Sequence, residues 1–289
     1  MLIAALNPFG RTNVAEQGKK KIVRVEPTAA NAQSSGAVAV DAPTWTPTPE
    51  AKKQATTLRL IAGGLWLLAI AGEAFAIFWV LRQVPVNMVL LIILIVVIGA
   101  LAIGGSLLWK KANRLDPASK EDTVRFFMQN QLGAIIAVIA FLPLIILVFT
   151  NKNMDGKQKA LAGVIAIVIG GGAIALGVDY NPPSVEQYTE ESNTIEQLTG
   201  QDLVYWTKSG SVFHVCADVP DVNKESKDGQ IYEGTVADAH AAGKDRLVSY
   251  WDREAVNYCG YTQEQVDAVT AGTTSDAPAD EPEETPEAE

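Results

Sequence analysis

The chain has 289 residues, 48% of them hydrophobic, and a formal net charge of −10. Those averages resemble a soluble protein, but the apolar residues are concentrated between positions 58 and 178. The first 60 residues carry eight Lys/Arg against four Asp/Glu, and no Lys or Arg follows Arg253, a balance that argues against nucleic-acid binding and suits polar tails beside a membrane.

Residues 1–57 are rich in Ala, Pro, Thr and Ser and lack a sustained period, so a disordered N-terminal tail is expected. Met1–Leu6 is apolar but short and has no basic region before it, so no signal peptide is expected. Lys19–Lys21 reads as a solvated charge run, with contact to anionic lipid as the alternative.

Four apolar stretches follow, at about 58–81, 88–109, 132–149 and 160–178. A stretch of about 20 residues spans a hydrocarbon core of roughly 30 Å, so residues 58–178 predict four transmembrane helices. Arg82–Pro85 is too short a connection for anything but an antiparallel hairpin between the first two. Pro143 should kink the third. Ala100 with Gly104, and Ala166 with Gly170, have the spacing that lets helix backbones approach closely. Trp79 and Trp109 stand at span ends, where amphipathic rings prefer the interface.

Glu73 is the chemically conspicuous residue of this region. Apart from Arg59 it is the only charged side chain from 58 to 81, and Ser106 is the only polar side chain from Met88 to Leu108. An ionised carboxylate at mid-membrane costs several kcal/mol, so such groups face a partner or water. Three roles fit: a protonated carboxyl bonded to backbone or to Ser106, a proton or cation site, and a contact with a partner protein. Conduction needs successive sites, and the other three spans offer no acid, His, Lys or Asn in their apolar cores.

Lys and Arg near the span ends divide eight to four. Lys52, Lys53, Arg59, Lys110, Lys111, Arg114, Lys120 and Arg125 lie on one side; Arg82, Lys152, Lys157 and Lys159 lie on the other. That bias predicts a multi-pass protein of the cell (plasma) membrane with both termini cytoplasmic.

Beyond the spans, Asp179–Pro183 ends the helical pattern, and 179–199 reads as a connecting strap, helical in part. Residues 200–271 predict a small α+β domain. Leu203–Thr207 and Val212–Cys216 flank a hairpin turn, Thr235 with Asp238 reads as a capping box closed by Gly243, and helical patterns follow at 247–258 and after Thr262. Residues 272–289 are acidic and contain Pro, and disorder is expected.

All the His and Cys of the chain fall in that domain: His214, Cys216, His240 and Cys259. They have the makings of a Cys2His2 zinc site but lack a CxxC or HxxxH pair. A Cys216–Cys259 disulfide would close a loop worth roughly 4 kcal/mol, provided the compartment is oxidising. A cytoplasmic domain predicts free thiols instead. No nucleophile elbow, phosphate-binding Gly loop, HExxH or dinucleotide fingerprint occurs, so neither enzymatic activity nor a cofactor is expected.

Val178–Ser184, Phe213–Cys216 and Gly234–Lys244, with the region 45–261 around them, resemble a group of uncharacterised four-span membrane proteins of actinobacteria. The final portion also resembles small domains with a Tyr/Phe-His near one Cys and a second Cys after an Ala-rich helix closed by Gly. Those domains often end in Cys-x-x-Cys, where this chain has Cys259-Gly260-Tyr261-Thr262. That group has no assigned activity to carry over; the lack of catalytic motifs, the small-residue faces and the sizeable folded appendage predict a non-enzymatic accessory or scaffold subunit in a lipid bilayer. Its partner would be another membrane protein, a respiratory supercomplex being one such assembly, or a second copy of the chain.

Overall fold

The computed structural model describes residues 20–25, 44–225 and 227–274. It is mostly helical, with four long apolar helices followed by a small α+β region. The helices are α1 (Pro49–Phe78), α2 (Met88–Leu115), α3 (Thr123–Thr150) and α4 (Gly156–Gly177). Each is long and apolar enough to cross a membrane.

The apolar stretches do not mark the helix ends, because the caps lie in polar sequence. Thr48 accepts the Ala51 amide at 3.1 Å with Pro49 in the first turn, so α1 starts well before 58. Asp122 accepts the Arg125 amide at 3.0 Å and starts α3 before 132. Asp155 and Gln158 form a reciprocal capping box at the start of α4. The connection expected over 110–131 therefore shrinks to a short turn between α2 and α3.

Inside the bundle the close contacts are made by small residues. A Cβ built on Gly105 would stand 2.5 Å from Trp66 Nε1, and one on Gly177 would stand 2.6 Å from the Ala134 backbone nitrogen. Gly170 abuts Phe141, and Ala166 is fully buried, so the spacing read in α4 marks a packing face. In α2 the expectation fails. Ala100 is exposed and Gly104 meets only Leu65 at ordinary distance, while Gly99 and Gly105, on the neighbouring stripe, make the tight contacts.

The N-terminal region is not wholly disordered. Lys21–Arg24 forms strand β1, and residues 49–57 belong to α1; residues 1–19 and 26–43 lie outside the described residues. The strap also proves to be part of the domain. Helix α5 (Val185–Thr199) is capped by Ser184 and closed by Gly200 at φ +82°. Its Ile195 and Leu198 join Val204, Trp206 and Phe213 in one core, because an amphipathic helix beside a domain buries its apolar face there.

In the domain, β2 (Val204–Trp206) and β1 flank β4 (Gln230–Gly234), antiparallel and parallel respectively. Strand β3 (Val212–Phe213) pairs with β5 (Arg246–Leu247), and the expected hairpin survives as one bridge between Tyr205 and His214. Helices α6 (Pro220–Glu225), α7 (Val236–Ala241), α8 (Trp251–Asn257) and α9 (Gln263–Thr274) complete it. The Thr235–Asp238 capping box opens α7 as the sequence indicates. Past residue 274 the acidic tail lies outside the described residues.

Candidate functional site

Glu73 is buried against α3, and its Oε1 has no hydrogen-bond partner among the described residues. Its carboxyl faces the backbone amide of Leu144, the residue after Pro143. Proline lacks an N–H and its ring crowds the preceding turn, which loosens the helical ladder at that point. Ser106 is elsewhere. It donates to the Ala102 carbonyl at 2.9 Å and packs on Gly133. Gly72 abuts Ile98 whereas Gly105 abuts Trp66, so in this antiparallel pair Glu73 and Ser106 sit about two turns apart. Of the two partners read for Glu73, backbone and Ser106, Ser106 bonds elsewhere, while the Leu144 amide lies within reach.

The four His and Cys residues do not converge on a metal. Cys216 and Cys259 are joined in a disulfide, with Cα atoms 5.8 Å apart, where a cytoplasmic domain predicted free thiols. Their sulfurs are therefore not available as thiolate ligands. His214 is buried, with Nδ1 2.9 Å from Glu254 Oε1, and its Nε2 has no partner among the described residues. His240 is buried between a stacked Tyr188 ring at 4.0 Å and the edge of Phe213 at 5.3 Å. Its Nδ1 lies 3.0 Å from the Lys244 carbonyl and its Nε2 2.6 Å from Glu191 Oε2. Both of these neighbours are acceptors. The imidazole therefore offers each of its ring nitrogens to an oxygen acceptor. Each histidine thus has a carboxylate partner on a separate helix, Glu191 on α5 and Glu254 on α8.

The His240 cluster is also where the domain meets the bundle. Tyr188 Oη donates to the Arg114 carbonyl at 2.9 Å, at the end of α2, and burial pushes the Tyr188 phenol well above its usual pKa. Arg114 in turn donates to the Lys244 carbonyl at 3.1 Å and pairs with Asp245 at 3.4 Å. Ala55, Ala112 and Leu115 pack with Ala241, and Ala51 packs with Ala237. The Ala-rich helix read from the sequence as a cysteine-domain feature is therefore the docking face. At the start of α5, Glu186 reaches back to the α2–α3 turn, and burial alone would raise its carboxyl. Hydrogen bonds from the Ser119 hydroxyl and the Lys120 amide outweigh that and hold it below the usual range.

Between the bundle's end and the domain lies a cavity of about 380 Å³. Gln54 and Lys111 come to it from α1 and α2, Lys208 from the hairpin turn, and Lys244 from the loop after α7. Trp206 and Tyr232 give it an aromatic wall. Sequence reading missed this cavity and the two carboxylate partners, because single Glu and Lys residues far apart in the chain carry no motif. No family model, curated protein or solved structure matches the chain, so its function rests on the geometry of its own residues.

Proposed function

We propose that the chain is a multi-pass protein of the cell membrane that acts without catalysis, as an accessory or scaffold subunit holding its C-terminal domain in a fixed pose for a membrane-protein partner. The observation that carries this reading is the dock itself. The domain is seated on α1 and α2 through Tyr188, Arg114 and the α7 alanines, a construction suited to presenting a surface. The small-residue packing faces and the sizeable folded appendage support the same role, with a respiratory supercomplex as one assembly that would use it and a homo-oligomer as another. Purification in mild detergent followed by cross-linking mass spectrometry tests it. Stoichiometric cross-links from the domain to one membrane protein, or to a second copy, are expected. A monodisperse single chain without such cross-links would defeat the reading.

Charge bias supports a cytoplasmic N-terminus and domain, whereas the disulfide supports an oxidising compartment. We give the bridge precedence. A covalent bond between residues 43 apart in the chain requires an oxidant, and the charge rule is a statistical preference of insertion. A membrane-impermeant maleimide should then label intact cells only after an impermeant reductant is added. Labelling that needs lysis but no reductant would put the domain back in the cytoplasm.

A second reading is favoured by the unpartnered Oε1 of Glu73. In it, Glu73 is a proton or cation site of an ion-coupled protein. Glu73→Gln keeps shape and removes the titratable group. Loss of ion flux with assembly intact would support it, and unchanged flux would remove it.

A further inference from the structure

The cavity at the junction has a location and a lining that the scaffold role does not use. Gln54 and Lys111 stand just outside the apolar parts of α1 and α2, the level at which lipid head groups lie beside a spanning helix. Lys111 and Lys208 are exposed and approach the cavity from opposite walls, one from the bundle and one from the domain. Lys244 is buried, with its ammonium donating to the Gly210 carbonyl, and it adds a third positive charge to the lining. Leu115, Trp206, Tyr232, Ala241 and Ala242 make the rest of the wall largely apolar. The one acid present, Asp238, turns Oδ2 to the Thr235 amide at 3.1 Å and hydroxyl at 2.7 Å as part of the capping box, so its charge is spent on the start of α7.

We propose that this cavity binds the head group of an anionic phospholipid, with the phosphate between Lys111 and Lys208 and the glycerol end against the apolar wall. Three features select that ligand. Lys111 and Lys208 both line the cavity, Lys208 with Asp228 near enough to feel its charge, and a phosphate offers oxygens to both lysines. An apolar wall contributes nothing to a free inorganic anion but shields the first carbons of an amphiphile. The site is open at the depth where such a lipid is already concentrated. A lipid held there would touch both bodies at once and add to the dock. This inference rests on the membrane reading given above.

Native mass spectrometry of the full chain in detergent tests it, with phosphatidylglycerol and phosphatidylcholine offered at equal concentration. One phosphatidylglycerol should be retained in preference to phosphatidylcholine. Lys111→Gln and Lys208→Gln should each weaken retention about fivefold, the equivalent of roughly 1 kcal/mol per basic residue near an anionic surface. Both side chains are exposed, so neither substitution threatens folding, and the same chain with Lys120→Gln, outside the cavity, should bind as the parent does. Equal retention of the two lipids, or no loss in the Lys111/Lys208 double variant, overturns the proposal. Displacement by millimolar inorganic phosphate overturns the lipid assignment in favour of a soluble anion. Release of the chain from membranes by alkaline carbonate alone would overturn the membrane reading itself, and this inference with it.

Discussion

Along the contact between α3 and α4 the buried residues are Ala137, Ala140, Phe141, Ala166 and Gly170. Between α5 and α7, buried Tyr188 and His240 and partly buried Glu191 are tied by a 2.6 Å hydrogen bond and a stacked ring pair. The bundle brings backbones close at Gly99, Gly105, Gly170 and Gly177 with Ile98, Phe141 and Leu144 packed around them; the domain has an apolar core too, but adds buried polar groups that pair with one another. The surroundings account for the difference. On the membrane reading proposed above, apolar side chains beside lipid gain nothing by turning inward, so helices associate through close packing of small residues. In water, burial of apolar surface drives the domain together, and any polar group carried inside needs a partner. Glu73, with an unpartnered oxygen inside the bundle, breaks the first pattern, as Asn113 Oδ1 does near the end of α2, and His214 Nε2 is an exception in the second.

The largest expected effect sharpens that comparison at the disulfide. Replacing Cys216 and Cys259 together by Ser should destabilise the domain by about 4 kcal/mol on the chain-entropy model, and leave the bundle folded. Hydrogen exchange of the full chain in detergent should show faster exchange across β2–α9 with α1–α4 unchanged. Loss of protection in the bundle as well would mean that the two parts fold as one unit. The next effect belongs to the bundle. Gly177→Ala would push a methyl group to within 2.6 Å of the Ala134 nitrogen and 2.7 Å of the Gly133 carbonyl carbon, and backbone cannot swing aside. A cost of about 3 kcal/mol is expected, at the upper end of ordinary overpacking. Gly171→Ala meets nothing within 4 Å and should cost nothing measurable. Thermal unfolding of the two variants in the same detergent decides it; equal melting temperatures would mean that α3 and α4 do not depend on close approach.

Much of the architecture was legible in the sequence, because the signals that carry it are local. Four apolar stretches and the Thr235–Asp238 box each follow from neighbours in the chain. What could not be read is what depends on distant partners. Nothing near Lys21 says that it will pair with β4, and nothing near Ala100 says that Gly99 and Gly105 will face the neighbouring helices instead. The histidines were visible as residues, but Glu191 and Glu254, which decide what they do, were two acids among 33. The cysteine pair was visible too. Whether it was bridged turned on the compartment, for which charge gave the contrary indication.

The smallest of these effects tests the rule that polar groups inside the domain are matched, at a place where matching is incomplete. Asp202 accepts the Val236 amide at 2.9 Å at the start of α7. Burial pushes its carboxyl up from the ordinary 3.8 to about 6, the Val236 bond opposes that rise, and the nearby charges of Glu196 and Asp238 add to it. The folded pKa lies above the unfolded one, so between these values the folded chain holds a proton that the unfolded chain has released. Stability is therefore highest below pH 3.8 as far as this group is concerned, and falls as pH rises through about 6. The loss should be about 2 kcal/mol, the pKa difference converted at 1.36 kcal/mol per unit and reduced because water partly reaches the side chain. Asp202→Asn keeps an oxygen for the Val236 amide and removes the titration. Melting of the domain should then coincide in parent and variant near pH 4, with the variant higher at pH 7. A gap that is the same at both values would show that the carboxyl is as comfortable in the fold as in water, and that the domain tolerates an ionised acid where the bundle offers only Glu73.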